Sequence, residues 1–139
     1  METTDVYNTI ASQTAEGFYS EKRSKFYAFA FHVESEEEVK TIVQAYGKRF
    51  YDARHVCWAY VLGADGSVSR ANDDGEPSST AGKPILGQIV KNGLTDILVI
   101  VVRYFGGVKL GTSGLIVAYR TAAADAIEHA TVETRYVEE

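Results

Sequence analysis

The chain has 139 residues, 45% of them apolar and 24% charged, and a formal net charge of −5. These totals fit one globular domain with a real core and exclude a disordered chain. The acidic balance excludes a protein that coats nucleic acid by bulk charge.

No apolar run approaches the roughly 20 residues of a membrane span. Glu2 and Asp5 near the start leave no room for a secretory leader. A single cysteine, Cys57, forbids an intrachain disulfide and suits a reducing cytoplasm. No membrane partner is expected, and composition is silent on oligomeric state.

Taken in order, residues 1–16 read as a loose lead-in or a short edge strand of a single domain covering 1–139. Gly17 to Ser20 suits a strand. Lys25 to His32 alternates, with Phe26, Ala28 and Ala30 on one face and Tyr27, Phe29 and Phe31 on the other. Ser35 and Glu38 form a capping box, and Val39, Ile42, Val43 and Tyr46 follow at helical spacing until Gly47. The acids Glu36 to Glu38 are explained by the positive end of that helix.

Arg54 to Leu62 is the next strand, with His55, Cys57, Ala59 and Val61 on one face. Asp65-Gly66 signals a hairpin that returns as Val68 to Ala71. The loop from Asn72 to Gly82 is long and rich in turn residues, a pattern common in functional loops. Pro84 opens a short helix that stops at Asn92-Gly93. Ile97 to Val102 is unbroken and β-branched, as befits a strand buried on both faces. Gly106, Gly107, Gly111 and Gly114 follow, and a last helix begins near Ser113, capped by Thr112 or Ser113 and striped with Leu115, Ala118, Ala122 and Ala126. Thr131 to Val137 suits a final edge strand. The expected fold is α+β: a two-layer mixed sheet with its helices packed on one face.

Eight of the 12 glycines lie between residues 75 and 114. Residues 70–120 carry six bases (Arg70, Lys83, Lys91, Arg103, Lys109, Arg120) against four acids (Asp73, Asp74, Glu76, Asp96), a local net of +2. A strand, a glycine loop and a helix start can aim backbone amides at an anion. The candidate anion-binding residues are therefore Arg103, Gly106, Gly107, Lys109, Gly111, Thr112, Ser113, Gly114 and Lys83; the alternative is a tight turn with no ligand. Gly106 and Gly111 match the glycine spacing of G-x-x-x-x-G-K-[ST], but Thr112 stands where the lysine belongs, which rejects a Walker-type loop. Arg103 either grips a phosphate with its planar fork or staples the 72–82 loop through an acid. Asp73, Asp74, Glu76 and Thr80 form a loop cluster read as turn chemistry, with no metal assigned. Cys57 reads as buried and inert beside His55. Tyr104-Phe105 beside Lys109 offers a base-stacking surface or plain packing. No catalytic set and no cofactor emerge.

Two blocks carry a resemblance. Arg70, Asp73-Asp74-Gly75-Glu76-Pro77, Thr80-Ala81-Gly82 and Pro84 fit R-x-x-D-D-G-E-P-x-x-T-A-G-x-P, and Arg103 to Leu115 fits R-Y-F-G-G-x-K-L-G-x-x-G-L. Ser24-Lys25-Phe26 and the strand His55 to Tyr60 agree too. The chain resembles the Impact family, including its bacterial YigZ-type members, over about residues 15–130. The resemblance implies a βαβ module like that of a ribosomal small-subunit protein, elongation factor G and the GHMP kinases, with helices on one side. It implies a cytoplasmic, translation-associated regulatory role, since eukaryotic members restrain a stress-activated kinase of translation initiation by competing for that kinase's activator. The expected partner is RNA phosphate, the ribosome or a translation factor, met through the 72–114 surface. The GHMP likeness of Leu110-Gly111-Thr112-Ser113 to G-L-G-S-S supports an alternative, an enzyme acting on a small phosphorylated ligand or nucleotide. The ferredoxin-like C-terminal domain that bacterial relatives often carry is expected to be absent.

Overall fold

The structure is a computed structural model that describes residues 6–137. Residues 1–5 of the expected lead-in lie outside the described residues. The elements run β1 (Val6–Ile10), β2 (Ala15–Glu21), β3 (Ser24–His32), α1 (Glu36–Arg49), β4 (His55–Leu62), β5 (Val68–Asn72), α2 (Gly82–Lys91), β6 (Ile97–Tyr104), α3 (Gly111–His129) and β7 (Val132–Tyr136).

The α+β class holds. The main sheet has five strands in the order β2-β3-β6-β4-β5, with β6 at its centre. Six consecutive aliphatic side chains, Ile97 to Val102, are each 0% exposed. At about 1.5–3 kcal/mol for each aliphatic chain removed from water, this strand contributes heavily to the core. Every pairing in the sheet is antiparallel, where a mixed sheet was expected. The expected lead-in contains β1, which pairs antiparallel with β7 in a separate two-stranded sheet.

The helices do not share one face. Phe26, Ala28 and Ala30 join Cys57, Ala59, Val61, Ile97, Val99 and Val101 under α2 and α3. Phe29, Phe31, Tyr60, Leu62, Leu98, Ile100 and Val102 pack on the other side, against Val39, Ile42, Val43 and Tyr46 of α1. The physical reason is the sheet's own composition. β3, β4 and β6 are apolar at both odd and even positions, so each face needs its own cover. β3 and β4 run parallel to each other across β6, and β5 and β6 run parallel across β4. The two crossovers lie on opposite faces, step in opposite directions across the sheet and join strand pairs of opposite direction, and these three reversals together give them opposite hands. One of the two is therefore of the uncommon left-handed kind.

Local signals set most boundaries. Ser35 Oγ accepts from the Glu38 amide at 3.1 Å, and Glu38 reaches back to the Glu34 amide at 2.9 Å. α1 runs two residues past the expected stop at Gly47 and closes with Lys48 and Arg49 in its last turn, where cations suit the helix dipole. The alanine stripe of α3 lets its backbone approach β2 closely. A Cβ on Gly17 would lie 2.3 Å from the amide nitrogen of Ala126, a backbone contact that no rotamer change relieves. Gly17→Ala is therefore expected to cost roughly 3 kcal/mol by overpacking, read as a lower urea midpoint at unchanged slope.

A buried ion pair beside an open cationic cleft

Alternation along the strands carries Arg103 onto the α2/α3 face, and register places it between Phe26 of β3 and His55 of β4. Arg103 is 6% exposed and Glu76 7%. Arg103 Nη1 donates to both carboxylate oxygens of Glu76, at 3.0 and 2.8 Å. The Tyr119 hydroxyl of α3 donates to Glu76 Oε2. Burial, above all, pushes the Tyr119 hydroxyl far above the ordinary phenol range, so it stays a donor. Of the two sequence readings of Arg103, the staple to the loop is the one whose contact is present.

The loop delivers Glu76 by a chain of local bonds. Asp74 (φ 44°) and Gly75 (φ 88°) turn the backbone, closed by the Glu76 amide on the Asp73 carbonyl at 2.9 Å. Positive φ at both central residues is the geometry that Asp-Gly favours. Asp73 Oδ1 accepts from the Gly82 amide at 2.8 Å and the Ala81 amide at 3.2 Å, while Oδ2 takes the Ser79 amide at 2.9 Å. Ala81, the residue at the cap, has no side-chain bond of its own, so Asp73 caps α2 from the preceding loop. Asp74 Oδ2 accepts from the Val56 amide at 2.6 Å. Thr80 bonds back to the Pro77 carbonyl at 2.6 Å. The loop cluster thus folds the loop.

His55 joins the network from β4. Its Nδ1 lies 2.7 Å from the Asp74 carbonyl. A carbonyl only accepts, so Nδ1 carries the proton and Nε2 faces Glu76 Oε1, 3.5 Å away. Cys57 is fully buried and points its thiol at the Asp73 carbonyl, 3.1 Å away. Burial pushes the thiol far above its usual range.

Beside this network lies a cleft of about 440 Å³ whose polar lining includes Arg54, His55, Arg103, Lys109, Gly111 and Thr112. Phe105, Leu110 and Leu115 form its apolar walls. α3 opens at Gly111 with Leu110 at the cap and no side-chain cap bond. The expected cap at Thr112 or Ser113 is absent because both already lie inside the helix. The first-turn amides therefore have no acceptor among the described residues. Arg103 is also incompletely used. Both bonds to Glu76 come from Nη1, and the sealed Nε has no partner. The Nε–Nη2 edge, which grips planar oxyanions in pairs, is left over.

The expected anion residues divide. Arg103, Lys109, Gly111 and Thr112 line the cleft. Gly106, Gly107, Ser113, Gly114 and Lys83 are not among its lining residues. Gly106 packs structurally: a Cβ there would meet the Arg23 carbonyl carbon at 2.1 Å, and its amide donates to Ser24 Oγ at 3.0 Å. Gly107 and Gly111 take positive φ, 92° and 74°. Lys83 is exposed on the first turn of α2. Sequence reasoning missed Arg54, His55 and Tyr119 as parts of this site. The signal for His55 was present: the period-two alternation that pairs it with Cys57 also points it at Arg103. Tyr119 sits one residue after Ala118 in a stripe that read as plain helix packing.

Two measurements check this account. Glu76→Ala strands a buried guanidinium and should cost about 3–5 kcal/mol in urea unfolding, whereas Glu76→Leu with Arg103→Met should recover part of that loss. Cys57 should react with a thiol reagent at pH 8 only when urea unfolds the chain. The sign follows from its raised folded-state value: the unfolded thiol ionises near 8.5 and the folded one does not. Stability is thus complete below that pH and falls as pH rises through it.

Residues 22–127 match the family model described as the Impact N-terminal domain. The Bacillus subtilis protein named IMPACT family member YvyE is 41% identical over 114 residues, covering 82% of this chain and 52% of the relative. A crystal structure of a hypothetical protein aligns with a TM-score of 0.90 at 35% identity, over 95% of this chain and 65% of that one. The two-domain translational regulator Yih1 aligns at TM-score 0.57 and 26% identity, over 94% of this chain and 52% of the regulator. The chain thus spans about half the length of these named relatives. No helix among the described residues is long and apolar enough to cross a membrane. The fold, the two motif blocks and the matched span agree that this chain belongs to the Impact family, as its N-terminal domain.

Proposed function

We propose that this domain is a translation-associated binding module that takes the phosphate of an RNA through the surface formed by residues 72–114. Kinship with a translational regulator supports the translation setting. One observation supports the anionic ligand: Arg54, Arg103 and Lys109 converge on one cleft with the open head of α3, against a single carboxylate that Arg103 already neutralises. Cations and oriented amides around a hollow favour a compact oxyanion. A small cleft on a chain of net charge −5 suits a focused contact and not a long electrostatic track.

A second reading has one observation in its favour. The volume is that of a small-ligand site, and His55 is held by the Asp74 carbonyl with its second nitrogen turned toward the network. That arrangement also fits an enzyme acting on a small phosphorylated compound.

Filter binding of a structured RNA over a salt series tests the first reading. Affinity should fall as salt rises, and Arg54→Ala or Lys109→Ala should each lower the log–log slope by about one contact. Absent or salt-independent binding overturns it, and pull-down of a translation factor would then name a protein partner. Stabilisation by millimolar nucleotide without RNA binding, lost in Lys109→Ala, would establish the second reading.

A further inference from the structure

The cleft continues across Phe105 into a second hollow. That groove, of about 550 Å³, is lined by Arg23, Lys25, Tyr27, Phe50, Asp52 and Tyr104, and Phe105 borders both cavities. The Phe105 ring is 37% exposed, with the guanidinium of Arg54 at 4.5 Å and that of Arg103 at 5.5 Å. In the groove, Tyr27 and Tyr104 meet edge to face at 6.0 Å, and Phe18 tilts against Tyr27 at 5.1 Å. The Tyr104 hydroxyl donates to Asp52 Oδ1 at 2.8 Å, which fixes that ring and occupies the groove's one carboxylate.

The two hollows differ in chemistry. The cleft is an open hollow of cations and amides, and one of its cations is the guanidinium of a 93%-buried arginine side chain. The groove is basic and aromatic, the combination on which unpaired bases stack while their backbone follows the cations. The interior of a duplex presents neither an exposed base face nor a chain end to such a pair of sites. A single strand with a phosphorylated terminus presents both.

Resting on the RNA reading above, we infer that the domain recognises a phosphorylated end of single-stranded RNA, with the terminal phosphate in the Arg54–Arg103–Lys109 cleft and the adjoining bases over Phe105 in the Tyr27–Tyr104 groove. A terminal phosphomonoester carries more charge than an internal diester and exposes three oxygens, enough for Arg54, Lys109 and the α3 amides together. Either chain end supplies this chemistry.

Calorimetric titration of the full chain with hexauridylate bearing a 5′-phosphate, a 3′-phosphate or neither tests the proposal. One phosphorylated form should bind about tenfold more tightly than the unphosphorylated strand, and the end that gains identifies the polarity. Lys109→Ala should erase that preference. Phe105→Ala should weaken all three strands about tenfold while keeping it. Both side chains are exposed, so neither variant threatens the fold. Equal affinity for all three strands overturns the end-recognition proposal but leaves salt-dependent RNA binding intact. An unchanged Phe105→Ala, or uridine monophosphate competing as tightly as the phosphorylated hexamer, overturns the groove. No binding of any strand removes both readings.

Discussion

A guanidinium sits at the end of the most buried strand of this molecule, and its partner carboxylate comes from a loop. An unpaired charge at that depth is strongly disfavoured. Arg103 therefore depends on the loop: the sheet cannot hold the arginine without Glu76, while the loop is also tied to β4 through Asp73 and Asp74. Tyr119 completes the triangle from α3. The pair thus joins three elements that meet nowhere else in sequence, and the cleft exists because they converge.

The acids of the loop divide the labour among themselves. Asp73 caps α2, Asp74 holds an amide of β4, and Glu76 neutralises Arg103. Each carboxylate sits where a backbone donor or a cation needs an acceptor, which accounts for D-D-G-E without invoking a bound cation. The consequence for charge is direct. With Glu76 committed to Arg103 and the two aspartates turned into the loop, Arg54 and Lys109 dominate what the cleft presents outward. An acidic protein can carry a locally cationic hollow because its nearby acids face inward.

Much of this was legible in the sequence, for reasons that are local. The apolar run Ile97 to Val102 identifies the central strand, and the alternation of β3 and β4 sorts their faces correctly. Ser35 with Glu38 marks the start of α1. What was not legible depends on how distant segments meet. Nothing within α1 states which side of the sheet it covers, since both sides are apolar. The close approach of Gly106 to the β2–β3 turn is likewise invisible, and so glycines of similar appearance proved to serve different ends. Gly107 and Gly111 allow backbone angles that other residues resist, whereas Gly106 leaves room for a neighbouring chain. Arg54 and Tyr119 escaped notice because their role comes from register and helix docking, which no short motif encodes.

The same arginine links stability to recognition. One nitrogen of its guanidinium holds the loop, and the opposite edge is without a partner. A buried donor left unsatisfied carries a standing penalty of about 1–3 kcal/mol. Nε itself is sealed from solvent, so an oxyanion in the cleft would meet Arg103 elsewhere on the planar group that also holds Glu76. Binding and loop order are then one equilibrium viewed from two sides, since anything that grips the native arrangement alone must also stabilise it. The incomplete satisfaction of Arg103 has no value to the fold by itself. The physical reason to regard the neighbouring hollow as a site is the convergence of Arg54, Arg103 and Lys109 on its lining.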